Sequence, residues 1–210
     1  MGKHGAFPVL RKKLDDAITY GSKKDALRLA KEGLRRSIKA GLAGEEEYFR
    51  GQVEIVRGRY SYAMEHFDAA IRHNPFDGAA YNDRALCMVE LGVLEGALEY
   101  FDRGIEAEPD YATVYHNKGW LLNNIGRHTQ ALACFEKTLE LEPGRAVTYD
   151  NLADALLNLG DLAGALQSYK KVLKLLKPGS CRGIRKNIKQ QMRTIEKLLS
   201  DERDNHAKKG

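Results

Sequence analysis

Residues 112–145 read ATVYHNKGWLLNNIGRHTQALACFEKTLELEPGR. Gly126 separates two apolar stretches, and the second ends near Pro143. A glycine placed after an apolar run can take the left-handed backbone that ends a helix, so the chain reverses there. Ala131 then falls on the inner face of the following helix, where a methyl group lets two helices approach closely. Phe135, four residues on, shares that face and fills the space beyond the methyl. Pro143 stops the second helix. The stretch predicts two helices folded back on each other within 34 residues.

The same punctuation recurs along the chain at that step. Gly58, Gly92, Gly126 and Gly160 are 34 apart, as are Ala63, Ala97, Ala131 and Ala165. Phe67, Phe101, Phe135 and Tyr169 follow the same period, with Pro75, Pro109 and Pro143 behind them. Asp77 and Asp110, just past two of the prolines, are expected to cap the helices that come next. Four columns sharing one period define a repeat. One helix pair cannot bury enough apolar surface to stand alone, so the pairs are expected to stack.

These residues resemble the tetratricopeptide repeat, whose pattern runs W-x-x-L-G-x-x-Y, then A-x-x-x-F, then P. Residues 112–145 match through Tyr115, Gly119, Leu122, Gly126, Ala131, Phe135 and Pro143, and residues 78–111 through Tyr81, Ala85, Met88, Gly92, Ala97, Phe101 and Pro109. Residues 146–179 match as well, with Pro178 one place late. Residues 44–77 carry Glu47 and Glu54 where aromatics are usual, so their first helix is expected to be less regular. Gly21 and Ala26 mark a degenerate helix pair over residues 7–43, with a lengthened second helix. Residues 180–200, with Ile184, Ile188, Ile195 and Leu199 on one side, read as a capping helix. Residues 1–6 read as a tail, and the polar residues 201–210 as disordered. The resemblance implies an all-α, right-handed superhelical solenoid of antiparallel helix pairs whose first helices line a concave groove.

Composition narrows the function. No apolar run reaches the ~20 residues of a membrane span, and the amino terminus lacks the apolar stretch of a signal peptide, so a cytoplasmic protein is expected. Cys87, Cys134 and Cys181 stand far apart without metal-ligand spacing, and they read as structural thiols. There is no Gly-rich phosphate loop, no His-Glu-x-x-His and no nucleophile with a plausible base. The expectation is therefore a scaffold with no enzymatic activity, no cofactor and no metal.

The resemblance places the ligand in the groove and assigns to it Tyr48, Gln52, Asn82, Asp83, Glu90, His116, Asn117, Trp120, Asn124, Asp150, Asn151, Asp154 and Asn158. Asparagine offers both donor and acceptor to the backbone of an extended peptide. Trp120, the sole tryptophan, suits an apolar anchor. The acids point to a protein or peptide partner of basic character. The chain is also segregated in charge: counting Lys, Arg, Asp and Glu, residues 1–40 carry +7, residues 41–169 carry −11 and residues 170–210 carry +9. That pattern predicts head-to-tail self-association. The alternative is that the basic ends bind nucleic acid or another anionic surface.

Overall fold

The computed structural model describes residues 7–176 and 181–207. The expected tail at 1–6, Pro178 and the last three residues of the chain lie outside them. Among the described residues there are eleven helices and no strand. They are α1 (Phe7–Tyr20), α2 (Lys23–Ala40), α3 (Ala43–Arg57), α4 (Tyr60–His73), α5 (Gly78–Glu90), α6 (Leu94–Ala107), α7 (Ala112–Asn124), α8 (His128–Leu141), α9 (Ala146–Asn158), α10 (Leu162–Leu175) and α11 (Arg182–Ala207). The chain divides between Val114 and Tyr115 into two compact units. Each is a stack of helices joined by short turns.

The glycine column makes those turns. Gly58, Gly92, Gly126 and Gly160 have φ of 75°, 78°, 81° and 81°. At none of the four would a Cβ meet another heavy atom within 4 Å, so the left-handed backbone, and not crowding, requires glycine. Crowding acts one turn further in. Ala63, Ala97, Ala131 and Ala165 are wholly buried, as are Phe67, Phe101 and Phe135, with Tyr169 nearly so. A Cβ on Gly51 would stand 2.7 Å from the Phe67 ring, and one on Gly119 would stand 2.8 Å from the Phe135 ring. In these two pairs the aromatic thus lies directly on the backbone of the first helix.

In the first unit, α2 has 18 residues where α4 has 14. Ser22 caps its start by accepting from the Asp25 N–H at 3.1 Å. α3 is a continuous helix of 15 residues and not the irregular one expected. Glu54 is held by Arg57 at 2.9 Å and by Arg59, and Glu47 by His66 at 2.7 Å, so the two glutamates are paired within the helix pair. Asp77 caps α5, accepting from the Ala80 N–H.

In the second unit, Asp161 caps α10 by accepting from the Gly164 N–H at 2.8 Å. Ile188 and Ile195 of α11 close the core formed with Ala153, Ala165, Tyr169 and Val172, and Met192 and Leu199 pack beside them. Ile184, expected on the same side, is 49% exposed. The first turn is instead held by Arg185, which donates to the carbonyls of Leu173 and Leu176 at 3.1 Å each. A cation there also suits the negative end of α10. α11 runs on to Ala207, so residues 201–207 are helical where disorder was expected. Extending an existing helix gains one hydrogen bond per residue, and neither glycine nor proline interrupts this stretch.

His116 of α7 is buried in this unit, 2.9 Å from the Thr148 hydroxyl and beside the Phe135 ring. Burial, with the charge of Arg145 adding to it, pushes its pKa from 6.5 down to about 3. Below pH 6.5 the unfolded chain takes up a proton that the folded chain refuses. The stability contributed by the neutral ring is therefore complete above pH 6.5 and is lost as the pH falls toward 3, by at most about 1.4 kcal/mol per pH unit. His116→Asn should flatten the dependence of thermal stability on pH across that window. A second outcome concerns the alanine column: Ala131→Leu should overpack the α7–α8 pair at a loss of ~1–3 kcal/mol, while Gln130→Leu, on the exposed side, should stay within about 0.5 kcal/mol in the same thermal melts.

Candidate functional site

Positions spaced by three or four residues share one side of a helix. On α7 that side carries Asn117, Trp120 and Asn124, and on α9 it carries Asp150, Asn151, Asp154 and Asn158. Trp120 is 38% exposed, Asn124, Asp154 and Asn158 are exposed or half-exposed, and Asn117, Asn151 and Asp150 are half-buried. The His116–Thr148 contact brings α7 against α9, so these side chains belong to neighbouring helices of one unit. Asp154 accepts from the Tyr169 hydroxyl at 2.7 Å, which fixes one carboxylate oxygen. Burial first, then the charge of Asp154, raises the pKa of Asp150. A cation arriving here would relieve the repulsion between the pair.

The equivalent positions of the first unit are in a different state. Gln52 stands 68 places before Trp120 and Asp154 stands 34 after Trp120, all in one register. Yet Gln52 is only 1% exposed. Tyr48, Asn82 and Asp83 are buried too, and His116 is packed as described, so these five expected ligand contacts are core residues. Glu90, at the far end of α5, remains partly accessible. The buried four form a network: Tyr48 donates its hydroxyl to Asp83 at 2.8 Å, and Asp83 also accepts from Gln52 Nε2 at 2.5 Å and Asn82 Nδ2 at 2.9 Å. Burial, opposed by the hydrogen bonds of Tyr48 and Asn82, raises the pKa of Asp83.

α1 packs against α2 as the first helix of its pair and also reaches this network. Phe7, Leu10 and Leu14, at i, i+3 and i+7, form a stripe that enters the first unit's core. Phe7 lies 5.9 Å from the Phe49 ring. Arg11, on the same side, makes a two-pronged contact with Asp77 at 2.8 and 2.9 Å and reaches Glu45 at 3.1 Å. Its guanidinium also stacks 3.6 Å above the Tyr48 ring. One arginine thereby joins α1 to the first turns of α3 and to the cap of α5. Sequence reasoning placed no function on Arg11 or Glu45 and saw in Asp77 only a cap. The available signal was a charged residue set inside an apolar stripe, with acids at two helix starts.

No helix among the described residues is long and apolar enough to cross a membrane, and no group of His, Cys, Asp and Glu among them could hold a metal ion. Cys87 is buried, Cys134 half-buried and Cys181 exposed, and none of the three is in a disulfide.

Comparison with known proteins agrees with the fold. Two models of the tetratricopeptide repeat match residues 48–112 and 110–177, which together take in more than half of the chain. No curated protein matches the chain. Among solved structures, TTC0263, a thermophilic repeat protein of Thermus thermophilus, is similar over 89% of this chain and 99% of its own, with 21% identity and a TM-score of 0.70. MamA of Desulfovibrio magneticus is similar over 83% and 97%, with 20% identity and a TM-score of 0.57. YrrB, described as having an unusual peptide-binding site, is similar over 89% and 99%, with 19% identity and a TM-score of 0.57. With its glycine turns, its alanine and aromatic columns and these matches, the chain belongs to the tetratricopeptide repeat family, whose members generally mediate contacts between proteins.

Proposed function

We propose that the chain is a non-enzymatic scaffold that binds a peptide or partner protein of basic character on the open face of α7 and α9. The observation that carries this reading is the exposure of Trp120 among amides and acids. A large aromatic at the centre of such a face gives area at small entropic loss, and a polar rim gives orientation. Asn117, Asn124, Asn151 and Asn158 can meet the N–H and C=O groups of an extended backbone whatever its sequence. Asp150 and Asp154 supply the charge preference, since like charges on a ligand would be repelled. That YrrB has a peptide-binding site supports the choice of a peptide over a small molecule.

A second reading is favoured by one observation. Arg182, Lys186, Lys189 and Arg193 gather with Gln190 around a shallow depression of α11. Phosphates of a nucleic acid or an anionic surface would fit this basic face. Binding there would fall steeply with salt and leave Trp120 untouched.

Because Trp120 is the only tryptophan, its emission reports on the proposed face directly. Titration with a short Lys- and Arg-containing peptide should shift that emission, and an acidic peptide of the same length should not. Asp150→Asn combined with Asp154→Asn should weaken the basic peptide by roughly tenfold, and Trp120→Ala, followed by calorimetry, by about a further 2 kcal/mol. Stronger binding of the acidic peptide would contradict the charge preference.

A further inference from the structure

Arg182, Lys186, Lys189, Arg193 and Lys197 follow one another along α11 at steps of four, three, four and four residues, and all five are exposed. Steps of three and four keep to one side of a helix, so the five make a single row about 22 Å long at ~1.5 Å per residue. Glu196 is the one acid between Arg182 and Lys197, and among the described residues neither it nor any of the five cations is in an ion pair. Other helices of the chain neutralise their cations: Arg35 and Arg36 share Glu32, Arg50 meets Glu46 and Arg57 meets Glu54. A helix that only solvates the end of a stack gains from such pairs, whereas a row of one sign repels itself. The row also has a fixed mount. Ile188 and Ile195 are buried on the inner side of α11, and Arg185 donates to the carbonyls of Leu173 and Leu176 at the end of α10. The charges are therefore held outward at set spacing before any ligand arrives.

We propose that this row is a seat for the phosphate backbone of a duplex nucleic acid, bound without regard to base sequence; the inference rests on the basic-face reading above and names its ligand. Three arguments choose the duplex. A helix that lies on a bilayer pushes apolar side chains below the headgroups. Here the exposed apolar residues of α11, Ile184 and Leu198, stand away from the row, and the remaining apolar side is spent on the core. A single strand is gripped by stacking its bases on aromatic rings, and residues 182–207 contain no Phe, Tyr or Trp. A duplex needs neither device: it offers one negative charge per ~1.7 Å of axis, so a straight row of cations meets phosphates along its whole length. Because α10 occupies the inner side of α11, the helix cannot sink into a groove, and contact stops at the backbone, which carries no sequence information.

The test follows the anisotropy of a fluorescein-labelled DNA duplex of about 20 base pairs as the full chain is added, at salt from about 50 to about 200 mM. Five phosphate contacts should make log K fall against log salt with a slope of about −4.5. Lys186→Gln combined with Lys189→Gln should reduce that slope by about 1.8 and weaken binding roughly tenfold, and glutamine preserves the helix because its propensity is close to that of lysine. Lys24→Gln combined with Lys31→Gln removes the same charge from exposed positions of α2 and should leave slope and affinity as in the native chain. An equal loss in the two double variants overturns the proposal, because binding would then follow net charge and not the row. A single strand of the same length held as tightly as the duplex overturns it too. Vesicles containing phosphatidylserine, sedimented with the chain, separate the proposal from the reading beneath it. Capture by vesicles that needs Lys186 and Lys189, with no binding of the duplex, overturns the choice of nucleic acid and leaves the basic-face reading standing. Binding of neither removes both.

Discussion

Two helices of a pair can close on each other here only because the side chain between them is a methyl group or a hydrogen. Ala63, Ala97, Ala131 and Ala165 occupy the second helices, and Gly51, Ala85, Gly119 and Ala153 hold the equivalent small positions of the first. Phe67, Phe101, Phe135 and Tyr169 then bury their rings within the pairs, which fixes how far along each helix its partner lies. Close-packed interiors tolerate little change in volume, so one small residue on each helix of a pair sets the register for everything around it. The glycines at positive φ add the reversal of direction, and stacking of the pairs supplies the apolar burial that one pair lacks.

Once the small and aromatic columns hold the pairs, the outward side of the first helices is free to vary, and it varies in a directed way. The same register holds Gln52 in the first unit and Trp120 and Asp154 in the second, with exposure rising from almost none to over a third at Trp120. The difference has a local cause. Arg11 ties α1 to Asp77, Glu45 and Tyr48, and the stripe of Phe7, Leu10 and Leu14 enters the same core as Ala26 and Ala30 of α2. The second unit, among its described residues, uses its additional helix differently: α11 lies against α10 and Tyr169, where it closes the core through Ile188 and Ile195. α1 is thereby the first member of the stack's own first pair, packed against α2, and α11 completes the core beside α10.

The fold was legible because its determinants are local and periodic. A glycine column, an alanine column and an aromatic column each repeat within a few residues of one another, so no long-range information is needed to place the pairs. The candidate face was legible only in part. Asn117, Trp120, Asn124, Asp150, Asn151, Asp154 and Asn158 are at least partly accessible, as their register implies, whereas Tyr48, Gln52, Asn82 and Asp83 are not. Their burial is set by tertiary packing, of which the Arg11–Asp77 pair across 66 residues of chain is one part, and such a pairing leaves no periodic trace. His116 was misread for a related reason: whether a histidine at that place points outward or packs is decided by Thr148 and Phe135, which belong to other helices. At the end of the chain, helix propagation carried α11 to Ala207, into a stretch whose polarity alone suggested disorder.

One chain thus carries an accessible face in its second unit and a buried equivalent in its first. Hydroxyl-radical footprinting of the native chain reads both in one experiment, since Trp120 and Tyr48 are each strongly reactive when solvent reaches them. Rapid modification of Trp120 with Tyr48 protected is the expected result. Modification of Tyr48 at a rate comparable to that of Trp120 would contradict it.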